Sequence, residues 1–490
     1  ESPYGSFSDY ARQQPYNAPW TDDGKLNRYF DGWDAWETQV QNPLYDATLG
    51  NIDKSGYVEI INNFSVEWKM TPELTLRGKF GISHTNNTSD MYKSPESSEF
   101  KDYTGDQVLR KGRYVYTTGK ANTYEGNVTL SYAKVFGEVH SLYAGLDASI
   151  AQNDSYSYGF TMEGFTNDRP FLGNALNYAE NDMPSASEYT TRRLGLVGNV
   201  NYVYDNRYYV DLSLRTDGSS QFGSDKRFGT FWSAGLGWNV HNEHFWGENP
   251  YLNTLRLRLS YGETGSQKFS AYQALPMFKY YDDDRYAYWG GAYLMGLGNE
   301  DLKWQETRNL NLALEMGFLD GRLTGRIEWY RKITNNMLTS ITLAPSLGFN
   351  TYPANLGKIE NQGIEFSLSA IPYQDRANQA YWTITVNGSR NKDKLLKISE
   401  AMRHMNEVNN ANQDDTPLSR YVEGESLNRI WVVRSLGIDP STGLEIFQKR
   451  NGDMTGEYDP VDIVPIGNTE PDWQGFINSS FTYRGWGAGV

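Results

Sequence analysis

The feature that most limits what this chain can fold into is a two-residue alternation of apolar and polar side chains, repeated in segment after segment. Leu74, Leu76, Gly78, Phe80 and Ile82 share one parity, and Glu73, Thr75, Arg77 and Lys79 share the other. Successive side chains of an extended strand point to opposite faces, so this spacing predicts a strand with unlike sides. The pattern returns at Tyr124–Tyr132, Leu194–Tyr204, Leu255–Tyr261, Leu310–Met316, Leu323–Trp329, Ile364–Leu368 and Trp382–Val386. One small residue, Ala313, falls on a polar parity, which a water-facing wall tolerates. Roughly thirteen such segments can be counted, many of about ten residues or more. A tilted strand needs about 9–11 residues to cross a bilayer, whereas soluble strands average about 5–6. No amphipathic helical period interrupts the series, which argues against the mixed α/β classes.

Composition sharpens the reading. Only 38% of the 490 residues are hydrophobic, yet there are 36 Tyr, 21 Phe and 14 Trp. Strands with one face on lipid and one on water give this mixture. Aromatic residues at Trp68, Tyr208, Tyr209, Trp329, Tyr330, Tyr381 and Trp382 are placed near strand ends, the level of lipid headgroups. Short connectors (Thr71-Pro72, Phe136-Gly137, Asp205-Asn206, Asp320-Gly321) alternate with long polar ones near 86–122, 154–189, 265–305, 335–360 and 394–472. Tight turns on one side and long loops on the other are the habit of outer-membrane barrels. The fold class expected is therefore all-β, a transmembrane antiparallel β-barrel.

Other classes are excluded by what is missing or misplaced. The chain has no cysteine, so disulfides and thiolate metal sites are out. Of five His, only His241 and His244 are closely spaced, in a polar turn. A net charge of -15 disfavours nucleic acid as partner. No basic-then-apolar leader opens the chain. An odd strand count and an end at Val490 after Arg484-Gly485-Trp486-Gly487 lead us to expect that residues 1–490 are part of one barrel domain.

Several stretches then carry a family resemblance. Arg215, Asp217-Gly218-Ser219-Ser220, Phe222-Gly223, Arg227-Phe228-Gly229 and Trp238 resemble a strand–loop–strand of SusC/RagA-family importers of Bacteroidota. Asn253–Gly265, Gly298–Thr307 with Trp304, Asn355–Glu365 with Gly357, Asn361 and Gly363, and Gly437–Gly443 are similar to further segments of that family, in its order. The resemblance implies a barrel of about 22 strands closed by an N-terminal plug. It also implies a TonB-contacting segment and a SusD-like surface lipoprotein as partner. Plug and TonB segment would precede Glu1, and further strands would follow Val490.

Candidate sites are few. The glycines of Asp217-Gly218-Ser219-Ser220, Phe222-Gly223 and Asn361-Gln362-Gly363 suit tight turns. No helix follows the first of these to hold a phosphate. Tyr280, Tyr281, Tyr286, Tyr288 and Trp289 crowd one long connector and are the candidate cargo-binding residues, since rings of this kind stack on sugars and peptides. Self-packing or contact with the lipoprotein is the competing reading. Asp282-Asp283-Asp284 and Asn451-Gly452-Asp453 offer oxygens to Ca²⁺ without the full spacing of a calcium loop; no other cofactor is expected. Arg326 and Glu328 suit a wet lumen, and no nucleophile–base–orienter trio marks an enzyme. The expected function is TonB-dependent import of a large nutrient, glycan first and oligopeptide second. A passive porin would lack the plug, a barrel protease would need a catalytic cluster, and a soluble binding module would come off without detergent.

Overall fold

The structure is a computed structural model. It describes residues 10–11, 13–31, 39–180, 182–223, 226–247, 249–267, 271–286, 289–342, 348–349, 351–355, 357–398, 402–404, 406–407 and 420–490. The alternating segments form strands: β1 (Ile52–Lys69), β2 (Leu74–Lys93), β3 (Arg113–Phe136), β4 (His140–Phe165), β5 (Ser185–Tyr204), β6 (Tyr208–Ser219) and β7 (Phe228–Asn239). They continue as β8 (Leu252–Ser266), β9 (Gln305–Phe318), β10 (Leu323–Asn335), β11 (Lys358–Asp375), β12 (Ala380–Lys397), β13 (Gln474–Tyr483) and β14 (Trp486–Gly489). These fourteen follow one another in chain order across a single sheet, and Ala175–Tyr178 adds to β4 as a fifteenth. From β5 onward every pairing is antiparallel with defined register. No helix among the described residues is long and apolar enough to cross a membrane. A barrel crosses with strands instead.

Strands run further than the alternation predicted. β3 has 24 residues and β4 has 26. At about 3.4 Å per residue a strand of that length extends roughly 80 Å, well past a bilayer. Connectors expected at 86–122 and 154–189 therefore shrink to 94–112 and 166–184. In β4 the added length keeps the alternation, with Tyr156, Tyr158, Phe160 and Met162 on one parity, so the two-faced strand extends into the connector expected there.

Two compact units are distinguished: 1–65, 79–126 and 151–192 in one, and 66–78, 127–150 and 193–490 in the other. In the first, buried Tyr92 meets Phe165 edge-on at 5.1 Å. Arg110 Nε donates to the buried carboxylate of Glu163 at 2.7 Å. A four-residue helix, Pro43–Asp46, is capped by Asn42, and its Asp46 accepts from the Ser98 amide at 2.9 Å.

In the second unit, register sorts side chains into rows. Tyr202, Val210, Leu236, Leu259, Leu312, Trp329 and Ile364 lie side by side across seven strands. They are apolar yet open: Leu236 is 52% exposed and Leu312 49%. A soluble fold would bury such a row, whereas lipid covers it in a barrel. On the opposite face stand Arg258, Ala313, Glu328, Glu365 and Ser389.

Turns at one end are tight. Asp205 and Asn206 both take positive φ, as a two-residue hairpin turn requires. Beside it Tyr204, Tyr208 and Trp238 stack as a row of rings, each 6.4 Å from the next. Of the aromatics expected near strand ends, Tyr209 is there, as the second residue of β6, while Trp329 and Tyr330 lie elsewhere. Tyr209 sits on the polar face over Gly237, where a Cβ would meet its ring at 1.7 Å. Trp329 and Tyr330 are mid-strand; Tyr330 is buried, with its hydroxyl on Asn391 Oδ1 at 3.1 Å. His241 Nδ1 lies 3.0 Å from the Leu255 carbonyl, a backbone contact rather than half of a ligand pair.

Two outcomes follow. A midplane cation on the lipid face costs about 2–4 kcal/mol, so Leu257→Arg should lower stability well beyond Arg258→Leu in a detergent unfolding titration. Equal losses would mean the register is wrong. At the turn end, hydrogen bonds from Tyr208 and Trp238, then Arg207, hold the Glu243 carboxyl below its ordinary 4.5. A depressed carboxylate stabilises above its unfolded value and loses that contribution as pH falls through the folded one. Wild type should therefore melt above Glu243→Gln at pH 7, with the gap closing below about pH 4.5.

Candidate functional site

The polar face divides into two zones. Near the tight turns it is charged. Arg256 and Arg258 reach Glu315 at 3.2 and 3.4 Å, Arg326 pairs with Glu328, and Glu328 stands directly opposite Glu365. A cavity of about 620 Å³ is lined here by Arg326, Glu328, Glu365, Ser367, Asn387 and Gln474, among others. Toward the long connectors hydroxyls and amides predominate, Ser260 beside Asn311, Gly262 beside Asn309, and Thr264 beside Thr307 and Thr334, with Lys332 and Asp393 in the same row as Asn309 and Asn361. Asn391 ties this zone together, accepting from Tyr330 and donating to Asn361 Oδ1 at 3.3 Å. Such a wall offers many neutral donors and acceptors among a few charged groups.

At the long-connector end the family-motif residues converge. Phe222 and Phe231 pack on Trp304, with centroids 4.5 and 5.6 Å away. The Trp304 indole donates to the Arg227 carbonyl at 3.2 Å. Asn355 Oδ1 accepts from the Lys303 amide, and its Nδ2 donates to the Lys303 and Asn336 carbonyls, all at 2.9 Å. Asn299 donates to the Pro353 carbonyl at 2.7 Å. Three connectors, 220–227, 267–304 and 336–357, are thus tied into one knot above the sheet.

Several glycines do a different job from the turning expected of them. Gly218 lies within β6 and Gly363 within β11, in extended backbone. Gly363 leaves room for Tyr330, whose hydroxyl would sit 2.6 Å from a Cβ there. Gly223 admits the Glu300 backbone, 1.7 Å from where its Cβ would be. Gly357, at φ +81°, does hold a conformation that L-residues resist, as do Gly437 and Gly443 at +103° and +71°. Asp217 accepts from Arg215 at 2.5 Å, Ser219 Oγ from the Gln221 amide at 3.3 Å, and Trp238 donates to Glu243 at 2.9 Å. Ser220 follows β6 directly.

The aromatic connector is a hairpin rather than an open loop. Met277–Tyr286 pairs with Trp289–Gly296, setting Tyr280 opposite Ala292. Tyr281, Tyr286 and Trp289 are on its strands, and Tyr288 lies outside the described residues. The Tyr280 side chain is 75% exposed, as cargo contact needs. The hairpin springs from the knot, where Gly298 abuts the Leu275–Pro276 backbone. Asn451 and Asp453 hydrogen-bond each other across a turn, and no group of three metal-ligating side chains occurs among the described residues. Phe231, central to the knot, was not singled out by sequence; its only signal was the small residue, Gly265, beneath it.

A continuous meander with one lipid-suited face and one wet face defines an outer-membrane β-barrel protein. Residues 2–488 match the family described as "TonB dependent receptor-like, beta-barrel", and the chain belongs to that family. Within it the chain is SusC/RagA-like. It is 28% identical to the TonB-dependent receptor SusC of Bacteroides thetaiotaomicron, covering 85% of this chain and 41% of that protein. It is also 28% identical to the TonB-dependent receptor P39 of Formosa agariphila, covering 84% and 37%. Among solved structures, the RagAB peptide transporter superposes with a TM-score of 0.82 at 21% identity, over 96% of this chain and 51% of that one. The chain thus spans about half the length, or less, of the relatives it matches.

Close packing at Gly223 gives a test. Gly223→Ala should loosen the knot and speed limited proteolysis within 267–304, because backbone cannot yield as a flexible side chain does. Gly290→Ala, whose Cβ meets nothing within 4 Å, should leave the digest unchanged. Equal digestion of both would remove the knot as a fastening.

Proposed function

We propose that this chain forms the membrane wall and part of the outer rim of a TonB-dependent importer for a large, uncharged, hydroxyl-rich nutrient, a glycan in the first instance. The observation that carries the reading is the amide- and hydroxyl-rich zone of the polar face, toward the connectors that bear the exposed hairpin. Sugar hydroxyls are donors and acceptors at once and pair with Asn, Ser and Thr without charge compensation. The charged zone nearer the tight turns is already engaged in internal ion pairs. An N-terminal plug, further strands and a SusD-like lipoprotein over the rim complete the proposed assembly, with energy from the TonB system.

A second reading, an oligopeptide cargo, is favoured by one observation: the superposition on a protein named as a peptide transporter. Peptide backbones also present neutral donors and acceptors, so the same wall serves either.

The test uses the intact protein and a panel of neutral oligosaccharides and mixed oligopeptides, in binding by calorimetry and uptake by cells. Saturable binding of a saccharide, with uptake abolished by a protonophore, is expected. Uptake indifferent to the protonophore would favour a passive pore, and binding of peptides alone would favour the second reading. Replacing Tyr280 and Trp289 by Ala should weaken cargo binding roughly ten-fold, on the scale of about 1–3 kcal/mol for a stacked base, with little change in melting temperature. Unchanged affinity would take the hairpin out of the site.

A further inference from the structure

Register places a set of cations where the apolar face ends. On that face Trp329 and Ile364 belong to the lipid-facing row, and Arg390 stands beside Ile364. One row further from the tight turns come Tyr261, Leu310, Arg331, Gln362 and Lys392. The next holds Glu263, Arg308, Ile333, Glu360 and Lys394. Five cations thus share one outward patch with two carboxylates, in a chain whose net charge is -15.

The level of the patch is set by strand length. From Leu323, at the tight-turn end of β10, to Arg331 is nine residues. A tilted strand crosses the hydrocarbon in about 9–11. Arg331 and its neighbours therefore lie where the bilayer gives way to headgroups, on the side of the long connectors, which in outer-membrane barrels is the cell exterior. Tyr261, Trp232 and Trp329 border the same level, and Trp232 meets Tyr261 edge-on at 5.6 Å.

The side chains are arranged rather than scattered. Arg331 is held by Glu360, its Nε 2.9 Å from Oε2, and Arg308 by Glu263 at 3.2 Å. Each of these Arg remains about half exposed. The Arg390 guanidinium lies 5.6 Å from the Trp473 ring; its Nε is buried and without an acceptor, which leaves the two terminal nitrogens to meet an anion. Lys392 and Lys394 are exposed. Cations at a bare lipid-facing surface are costly unless an anion meets them. A planar guanidinium fork matches a phosphate, and neighbouring ammonium groups add charge.

We infer that the outward face of β9–β12 binds a phosphate-bearing lipid headgroup of the outer leaflet, through Arg331, Arg308, Arg390, Lys392 and Lys394. The inference is independent of the cargo, which meets the other face of the same strands. Bound there, the lipid fastens the barrel against vertical movement at a fixed depth.

The experiment is native mass spectrometry of the intact protein in detergent, titrated with bisphosphorylated lipid A, phosphatidylcholine and inorganic phosphate. Wild type should retain lipid A in preference to phosphatidylcholine. The double variant Lys392→Gln, Lys394→Gln should lose affinity by roughly ten-fold or more. Lys332→Gln, on the polar face of β10, should not. The exposed lysines make few packing contacts, so the double variant should keep the wild-type melting temperature. Lipid A affinity unchanged in the double variant, or equally lowered by Lys332→Gln, would overturn the inference. Competition by inorganic phosphate at similar concentration would assign a free-phosphate site instead. A wild-type dimer that the double variant abolishes, without lipid, would assign the patch to contact between two copies.

Discussion

Everything in this structure depends on the fact that a bilayer offers no hydrogen-bond partner to a polypeptide backbone. Strands can cross it only if each is paired to its neighbours, and pairing fixes register. Once register is fixed, the period of two forces every second side chain onto lipid and every other onto water. The row from Tyr202 to Ile364 and the facing row from Arg258 to Ser389 are two readings of that constraint. A slip by one residue on β9 would drive Glu315 into lipid and Leu314 into water. The charged and apolar residues thus police the pairing that positions them.

Polar side chains on the wet face are not equivalent along its height. Close to the tight turns Arg and Glu neutralise one another in short contacts, while toward the connectors hydroxyls and amides predominate around Lys332 and Asp393. The first arrangement suits a wall that closes on its own charges. The second leaves hydrogen-bonding capacity for a neutral partner. Above it the knot around Trp304 stiffens three connectors that would otherwise be long and independent. Its glycines matter because they let backbone touch backbone or ring, and the conformational freedom of Gly223 or Gly363 is incidental. The hairpin that displays Tyr280 is carried on this fastening, so rim and wall are mechanically continuous within the second unit.

Much of this was legible in the amino-acid order. The alternation from Leu255 to Tyr261 or from Leu323 to Trp329 gave strands, faces and class, because local geometry alone converts that period into two sides. Motif spacing around Asp217, Trp304, Asn355 and Gly363 pointed to the family, and the family model agrees. The sequence could not say what those motif residues do. Gly218 and Gly363 looked like turn formers, since a glycine's freedom is local while the ring it accommodates arrives from another strand. Trp329 and Tyr330 were likewise misplaced, because distance from a strand end depends on where pairing stops. The hairpin at 277–296 was hidden by Asp282-Asp283-Asp284, a run with no apolar period.

By itself, then, the sequence determined the strand faces, the length sufficient to cross a bilayer, the side on which long connectors gather and the absence of cysteine chemistry. These follow from neighbours one or two residues apart. Tertiary structure alone decided which residues stand side by side. It brought Phe222 and Phe231 to Trp304, set Glu328 against Glu365, and lined up Arg308, Arg331, Arg390, Lys392 and Lys394 on one outward patch. Those contacts join positions as many as eighty-two residues apart, from Phe222 to Trp304. Hydrogen-bonded register selects such pairs, and no local period in the chain encodes it.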